Sequence, residues 1–253
     1  MTAPRFELAP TSRFADRASD YARFRPSYPA EAIDAALAGM PIASGLVAAD
    51  IGAGTGISSR LFAERGVRVL AVEPNAAMRE SAEPHEGVTF VDGTAEATGL
   101  ESASVDLVIC AQAFHWFRPV EALAEFRRIV KPGGRLVFLV NERDHEDPAM
   151  RAYNAAIKAA AERELSEGMR GAVDKALEAA GLAVSPASFP SAQALSREGL
   201  VGRARSASYV PKEGPRYERL LRDLDALWTA HHDEHGMVSL AYRTFVWVVG
   251  VAK

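Results

Sequence analysis

The stretch AADIGAGTGISSR concentrates residue types that can hold a small polar ligand: Asp50 precedes Gly52, Gly54 and Gly56 at alternate positions, with Ala53 between the first two glycines. Glycine lets a backbone turn tightly and approach a ligand with no Cβ in the way. A dinucleotide-binding turn would read G-x-G-x-x-G, but here the third glycine comes one position early and Ile57 fills the required slot. A phosphate-cradling Walker loop would continue with lysine, whereas Gly56 is followed by Ile-Ser-Ser-Arg. The pattern therefore predicts a nucleoside-like ligand without a pyrophosphate. A ligand-free strand-to-helix turn is the bland alternative, and three glycines behind an acid argue against it. Glu73 lies 21 residues after Gly52, close to the offset at which an acid accepts both ribose hydroxyls. Taken alone it would be a solvated strand-end carboxylate; with the loop it reads as a ligand group. Pro74, Asn75 and Met78 follow in EPNAAM. Met78 suits either the core or one face of an adenine.

These residues can converge only if the strands carrying them lie side by side. LVAADIG (46–52) and RVLAVEP (68–74) read as buried strands, and VTFVDG (88–93), VDLVICA (105–111) and RLVFLVN (135–141) follow at α/β spacing. Near-continuous apolar runs of this kind belong to parallel sheets covered on both faces. Between the last two, Leu123, Phe126 and Val130 share a helical face that Pro132-Gly133-Gly134 should stop. After residue 142 the rhythm turns helical. Met150, Tyr153 and Ile157 mark one helix; Val173, Leu177 and Ala180 mark a second, ending at Gly181. Residues 216–232 are strongly amphipathic, and TFVWVVGVA (244–252) reads as a terminal strand. The economical expectation is one domain: a helical segment over 12–40, a sheet core over 46–141, and helical insertions and final strands over 142–253.

Composition narrows the function classes. The 253 residues carry a formal charge of −4 with no basic block, a poor basis for tracking a nucleic-acid backbone. Hydrophobic residues at 48% and charged residues at 25% predict a globular chain with a sizeable core. One cysteine, Cys110, excludes an internal disulfide. It reads as a small buried hydrophobe rather than a nucleophile. No apolar run approaches the roughly 20 residues that span a bilayer. MTAPRFELAPTSRF lacks a signal-peptide layout, so a cytoplasmic protein with a small-molecule substrate is expected, its oligomeric state open.

The succession of D-x-G-x-G-x-G, VEPN, DGTAEATGL, VDLVICAQAFHWF and KPGGRLVF resembles the motifs of class I S-adenosylmethionine-dependent methyltransferases over about residues 46–141. YARFRPSYP, EPNAAM, AFHWF and RARSASY are similar to the trans-aconitate methyltransferase-like, methyltransferase type 11 group. The resemblance implies an α/β, Rossmann-like, doubly wound sheet of seven strands with an antiparallel last strand and a helical N-terminal lid. It implies S-adenosyl-L-methionine as cofactor. Asp50 and the Gly52–Gly56 backbone would face its methionine part, Glu73 its ribose, and Thr94, Ala95 and Glu96 its adenine. Many relatives carry aspartate at the position of Thr94, so Glu96 or backbone groups would take over recognition of the adenine amine. Ala111, Gln112 and Ala113 would form the floor, and Tyr21, Arg25 and Tyr28 would sit in the lid.

A sulfonium is already a strong electrophile, so the chemistry needs chiefly a nucleophile held in line. His115 and Trp116, just past the fourth strand, are the expected acceptor residues. His115 would be general base for a hydroxyl or amine, or would join Trp116 in orienting a carboxylate that needs no base. Arg203, Arg205, Ser206 and Tyr209 are expected near the acceptor, where arginines would favour polycarboxylates. Two other readings use the same loop: a non-catalytic module binding S-adenosylmethionine or its product, and a nucleotide-dependent oxidoreductase. His231-His232-Asp233-Glu234-His235 matches an inverted zinc-peptidase pattern. At the polar end of an amphipathic helix, followed by Gly236, it reads instead as a solvated helix end, and no metal is expected.

Overall fold

The computed structural model describes residues 18–41, 45–161, 169–207 and 209–252. The first part of the expected lid, residues 12–17, lies outside them. Seven strands form one sheet: β1 (Val47–Ile51), β2 (Arg68–Val72), β3 (Val88–Val91), β4 (Val105–Ala111), β5 (Val130–Arg143), β6 (Ala187–Leu195) and β7 (Val238–Gly250), in the order β3-β2-β1-β4-β5-β7-β6. The first five strands pair in parallel. β7 runs antiparallel to both β5 and β6, so the last strand has the orientation that the resemblance implies.

Alternating side chains send β-branched and aliphatic residues to both faces, and each face is covered. On one side Phe114, Phe126, Phe138 and Trp247 pack with α5 (Pro119–Ile129) and α7 (Met169–Ala179). On the other, Ile33 of α2 (Ala30–Leu37) and Phe62 of α3 (Ile57–Ala63) cover Val69, Leu107, Ile109 and Leu139. A third apolar cluster joins α6 (Pro148–Ala160), α8 (Arg197–Arg205) and α9 (Pro215–His231) to the start of β7 through Tyr153, Leu200, Leu224 and Leu240. Two short helices complete the described elements used below: α1 (Ala18–Phe24) and α4 (Ala76–Glu80).

Two sequence expectations are corrected. Val130 does not continue the helical face; it opens β5 opposite Val105, and the register then jumps to Leu107 opposite Arg135. Lys131–Gly134 form the bulge that absorbs the jump, where a Cβ on Gly134 would lie 2.7 Å from the Asp106 carbonyl oxygen. The second correction is β6, which the sequence reading did not place. ASFPSAQAL is poor in strong strand formers, and Pro190 argues against a central strand; the segment is the sheet edge, where proline is tolerated. Among the described residues no helix is long and apolar enough to cross a membrane.

Candidate functional site

The strand order reverses between β1 and β4, and at such switch points open α/β sheets leave a crevice beyond the carboxyl ends of the strands. A cavity of about 370 Å3 lies there. The glycine loop leaves β1 and crosses the end of β2, with the Gly52 and Ala53 N–H groups donating to the Val72 carbonyl at 2.9 and 3.2 Å. Gly52 and Gly54 both have positive φ, 70° and 59°. A Cβ on Gly52 would lie 2.7 Å from the Ala113 Cβ and 2.9 Å from the Phe117 ring, so this position needs glycine twice over.

Glu73 is nearly buried at the end of β2. Its Oε2 accepts the Gly54 N–H and its Oε1 the Asn75 N–H, each at 2.9 Å. One carboxylate thus ties the glycine loop to the start of α4 and keeps a free lone pair on each oxygen. Burial pushes its pKa up, against the opposing pull of those two N–H groups and Arg79. Asp50 is fully buried in β1. Its Oδ2 accepts the hydroxyls of Ser58 at 2.6 Å and Ser59 at 2.7 Å, while Oδ1 has no hydrogen-bond partner. Burial raises this carboxyl to about 6 despite the two hydroxyls.

Among the expected residues, Tyr21, Gly52, Gly54, Glu73, Pro74, Met78, Thr94, Ala95, Glu96, Ala111, Gln112, Ala113 and Trp116 line the cavity, as does Asn75. Met78 is both buried and on the wall, which resolves its two readings into one position. Glu96 Oε1 accepts the Arg118 N–H at 2.8 Å, closing the two loops on each other. Gln112 sits at φ 56°, an uncommon conformation for a residue with a side chain. It is held by its N–H on the Leu139 carbonyl and its Nε2 on the Asn141 carbonyl. Gln112 Oε1 and Asn75 Nδ2, both on the wall, are buried without hydrogen-bond partners.

Asp50, Ala53, Gly56 and His115 lie beside the cavity without lining it. His115 and Trp116 share one 3-10 turn (Phe114–Trp116), their ring centroids 4.9 Å apart. Phe117 and Arg118, which also line the cavity, were missed, although their place in AFHWFRP directly after Trp116 was signal enough.

Tyr28, Arg25, Arg203 and Tyr209 do not line the cavity. Tyr28 is buried, and burial pushes its phenol well above the ordinary range, with Tyr21 and Asp50 adding to the shift. Arg25, Arg203 and Tyr209 join Arg143, Tyr153 and Tyr242, none of which the sequence marked as a site residue. Arg203 Nε donates to the Tyr242 hydroxyl at 3.3 Å, and Arg143 Nη2 to that of Tyr209 at 3.1 Å. Cys110 is buried inside β4, its thiol pushed up by burial. His231 ends α9 and His235 lies beyond it, both exposed, so the two share no helical face. Among the described residues no cluster of His, Cys, Asp and Glu could hold a metal ion.

Residues 49–138 match the family described as Methyltransferase domain. An uncharacterized methyltransferase of Mycobacterium tuberculosis is 44% identical over 133 residues, covering 52% of this chain and 53% of that protein. The chain therefore spans about half the length of the curated relatives it matches. The structure of a candidate type II methyltransferase from Anaeromyxobacter dehalogenans shares the fold with a TM-score of 0.60 at 23% identity, covering 90% of this chain and 98% of that one. A phosphoethanolamine N-methyltransferase from Haemonchus contortus, solved with S-adenosylhomocysteine, aligns at a TM-score of 0.55 and 16% identity, covering 100% of this chain and 61% of that one. The motif order, the seven-stranded mixed sheet with its switch-point cavity and these matches agree: residues 49–138 match a methyltransferase domain, and the chain has the fold of the class I methyltransferases.

Proposed function

We propose that the protein binds S-adenosyl-L-methionine in the switch-point cavity and transfers its methyl group to a small-molecule acceptor, through a carboxylate or hydroxyl oxygen. The observation that carries this reading is a wall holding a doubly anchored Glu73 together with two buried, unpartnered polar atoms, Asn75 Nδ2 and Gln112 Oε1. A buried polar atom left unpaired costs about 1–3 kcal/mol, so these atoms fit a polar ligand better than a vacant cleft. The residues also fit the cofactor part by part. Glu73 has lone pairs left for two ribose hydroxyls, Met78 and Ala95 offer apolar surface to an adenine, and Asp50 and Glu73 put acidic groups beside a cationic ligand.

The cofactor, when bound, supplies a methyl group on a positively charged sulfur. The work left to this chain is positioning, which can supply much of the rate. Trp116, on the cavity wall, orients the acceptor, and His115 on the same turn takes the proton of a hydroxyl acceptor; a carboxylate arrives ionised and needs no base. Residues 18–40 act as a lid: Tyr21 contributes to the wall, and closure excludes water. In this reading the lid, the core over 46–141 and the elements after 142 work as one domain.

Thermal unfolding with S-adenosylhomocysteine, S-adenosylmethionine, NAD+ or no ligand tests the reading. A ligand specific to the folded state stabilises it by about 2.7 kcal/mol at 100 times its Kd. A rise in Tm with the two adenosyl-sulfur ligands alone is expected. A rise with NAD+ alone, or none, would mean the loop serves another ligand. Replacing Trp116 with Ala is then expected to remove turnover while the S-adenosylhomocysteine response persists.

A further inference from the structure

α1 has seven residues, Ala18–Phe24, and two working faces. Asp20 and Phe24, four positions apart on one of them, meet α8. Asp20 pairs with Arg205 at 3.3 Å, and the Phe24 ring fills a notch that Gly202 leaves. A Cβ on Gly202 would crowd three carbons of that ring, Cζ at 2.7 Å among them, so glycine is what lets the ring in. Tyr21, on the adjoining face, lines the cavity, its ring Cε1 3.8 Å from where a Cβ on Gly54 would stand. At the end of the helix the Phe24 carbonyl accepts Gln193 Nε2 of β6 at 3.0 Å. Arg25 Nη2 donates to the Ser206 carbonyl, just past α8, at 3.1 Å.

From Ser27 onward the chain is fixed to the sheet. The Ser27 carbonyl accepts Nδ2 of buried Asn141 on β5 at 3.0 Å, and Asn141 Oδ1 in turn accepts the Thr244 hydroxyl of β7 at 2.6 Å. Tyr28 is buried, and α2 packs Ala32, Ile33, Ala36 and Leu37 on the sheet. The docking of α1 on α8 is thinner. Its ion pair is partly exposed, and Arg25 Nε and Gln193 Oε1 are buried at the joint without hydrogen-bond partners. Buried polar atoms left unpaired weaken the closed arrangement. Seven residues also fall well short of the about 12–15 that a helix needs to persist alone in water, so α1 unwinds when it leaves α8.

We infer that α1 is a gate over the cavity that opens by local unfolding from a pivot at Ser27, and that Phe24 in the Gly202 notch is the catch that sets how long a bound ligand stays. Phe24 does not line the cavity; it is a positioning residue that acts through Tyr21. Local opening is confined to the segment with the fewest buried contacts. The moving part of the lid therefore narrows to α1, while residues 27–37 stay on the sheet. The gate rests on these contacts, and the ligand it retains is the one named by the methyl-transfer reading.

The test combines hydrogen exchange with ligand release on the full chain, comparing wild type with Phe24→Ala, Gly202→Ala and the double variant. Without ligand, each single variant is expected to speed exchange of the amides of residues 22–25 by about fivefold or more, while β1 and α2 keep their protection. The double variant should exceed either single by no more than about twofold, because both changes remove one contact. In stopped flow, each single variant should release S-adenosylhomocysteine about fivefold faster or more. Exchange in α1 that the variants leave unchanged, or effects that multiply in the double variant, overturns the catch. Loss of protection that spreads into α2 overturns the pivot, and faster exchange with unchanged release overturns the gate. Failure of S-adenosylhomocysteine to bind the wild type instead removes the methyl-transfer reading; the exchange arm uses no ligand and still decides the catch. Unchanged protection of β1 verifies folding, and Phe24→Ala, which alters only α1, carries the test if Gly202→Ala does not fold.

Discussion

The two ends of the carboxyl edge of the sheet carry opposite charge and are built in opposite ways. At the β1–β2 end, Asp50, Glu73 and Glu96 supply acid, held by partners no more than 22 residues away in the chain: Ser58 and Ser59, Gly54 and Asn75, Arg118. At the β5–β7 end, Arg25, Arg143 and Arg203 supply positive charge, held by Tyr209, Tyr242 and Ser206 through contacts that span 39 to 181 residues, apart from Arg203 with Ser206 on neighbouring turns. The first end shapes backbone around the cavity; the second gathers long side chains without lining it. The acidic end borders the cavity and the basic end does not, with Tyr21 and Gln112 between them.

Five perturbations break, sharpen or control for that contrast. The largest effect is expected from Gly52→Ala. A left-handed φ costs a substituted residue about 1–2 kcal/mol, and overpacking against Ala113 and Phe117 adds about 1–3 kcal/mol. Denaturant unfolding should register the loss, and an unchanged midpoint would mean that the loop has room to move. Glu125→Ala comes next and concerns stability away from either end. Glu125 accepts the Thr98 N–H and hydroxyl and both Nε and Nη2 of Arg128. Its removal should cost about 2–3 kcal/mol and leave S-adenosylhomocysteine affinity intact. Arg128 first, and Thr98, hold this carboxyl down at about 2, against an ordinary 4.5. Its contribution is thus complete above about pH 4.5 and is lost as pH falls toward 2, so acid unfolding of the variant should show a shallower pH dependence there.

Glu73→Ala tests the acidic end directly. It should weaken S-adenosylhomocysteine by about 1–3 kcal/mol, the range for leaving the Gly54 and Asn75 N–H groups and the ligand unpaired. Arg143→Gln, at the basic end, should leave that affinity within about twofold. Equal losses in both would erase the contrast.

Why one end was legible and the other not follows from how each is held. D-x-G-x-G-x-G and EPN are contiguous words because backbone turns need particular residues at fixed offsets, and thirteen expected residues reach the cavity wall. β1 to β5 were legible for the same reason, each a short apolar run. Arg143 is one basic residue at a strand end, Tyr153 one apolar position of a helix, and Tyr242 one strand residue; only tertiary packing makes them a cluster. Pro190 and alanine-rich composition hid β6, whose pairing with β7 supplies the strand pattern that its own sequence lacks.

The smallest effect expected is also the most specific. Asp50 is buried with one oxygen satisfied by two serines and the other by nothing. Burial raises it from 3.8 to about 6. Without ligand the folded state therefore binds more protons than the unfolded state between those values, and stability falls as pH rises through that window. A cationic ligand group near Oδ1 favours the ionised form, so S-adenosylmethionine affinity should rise as pH climbs through about 6 and then level off. The limit is about tenfold per pH unit, or about 1.4 kcal/mol. Asp50→Asn keeps an oxygen for Ser58 and Ser59 while removing the titration. Its affinity should be lower at pH 7.5 and flat from pH 5 upward. A wild-type profile already flat over that range would mean that Asp50 only anchors α3. The acidic end would then act on the ligand through Glu73 alone.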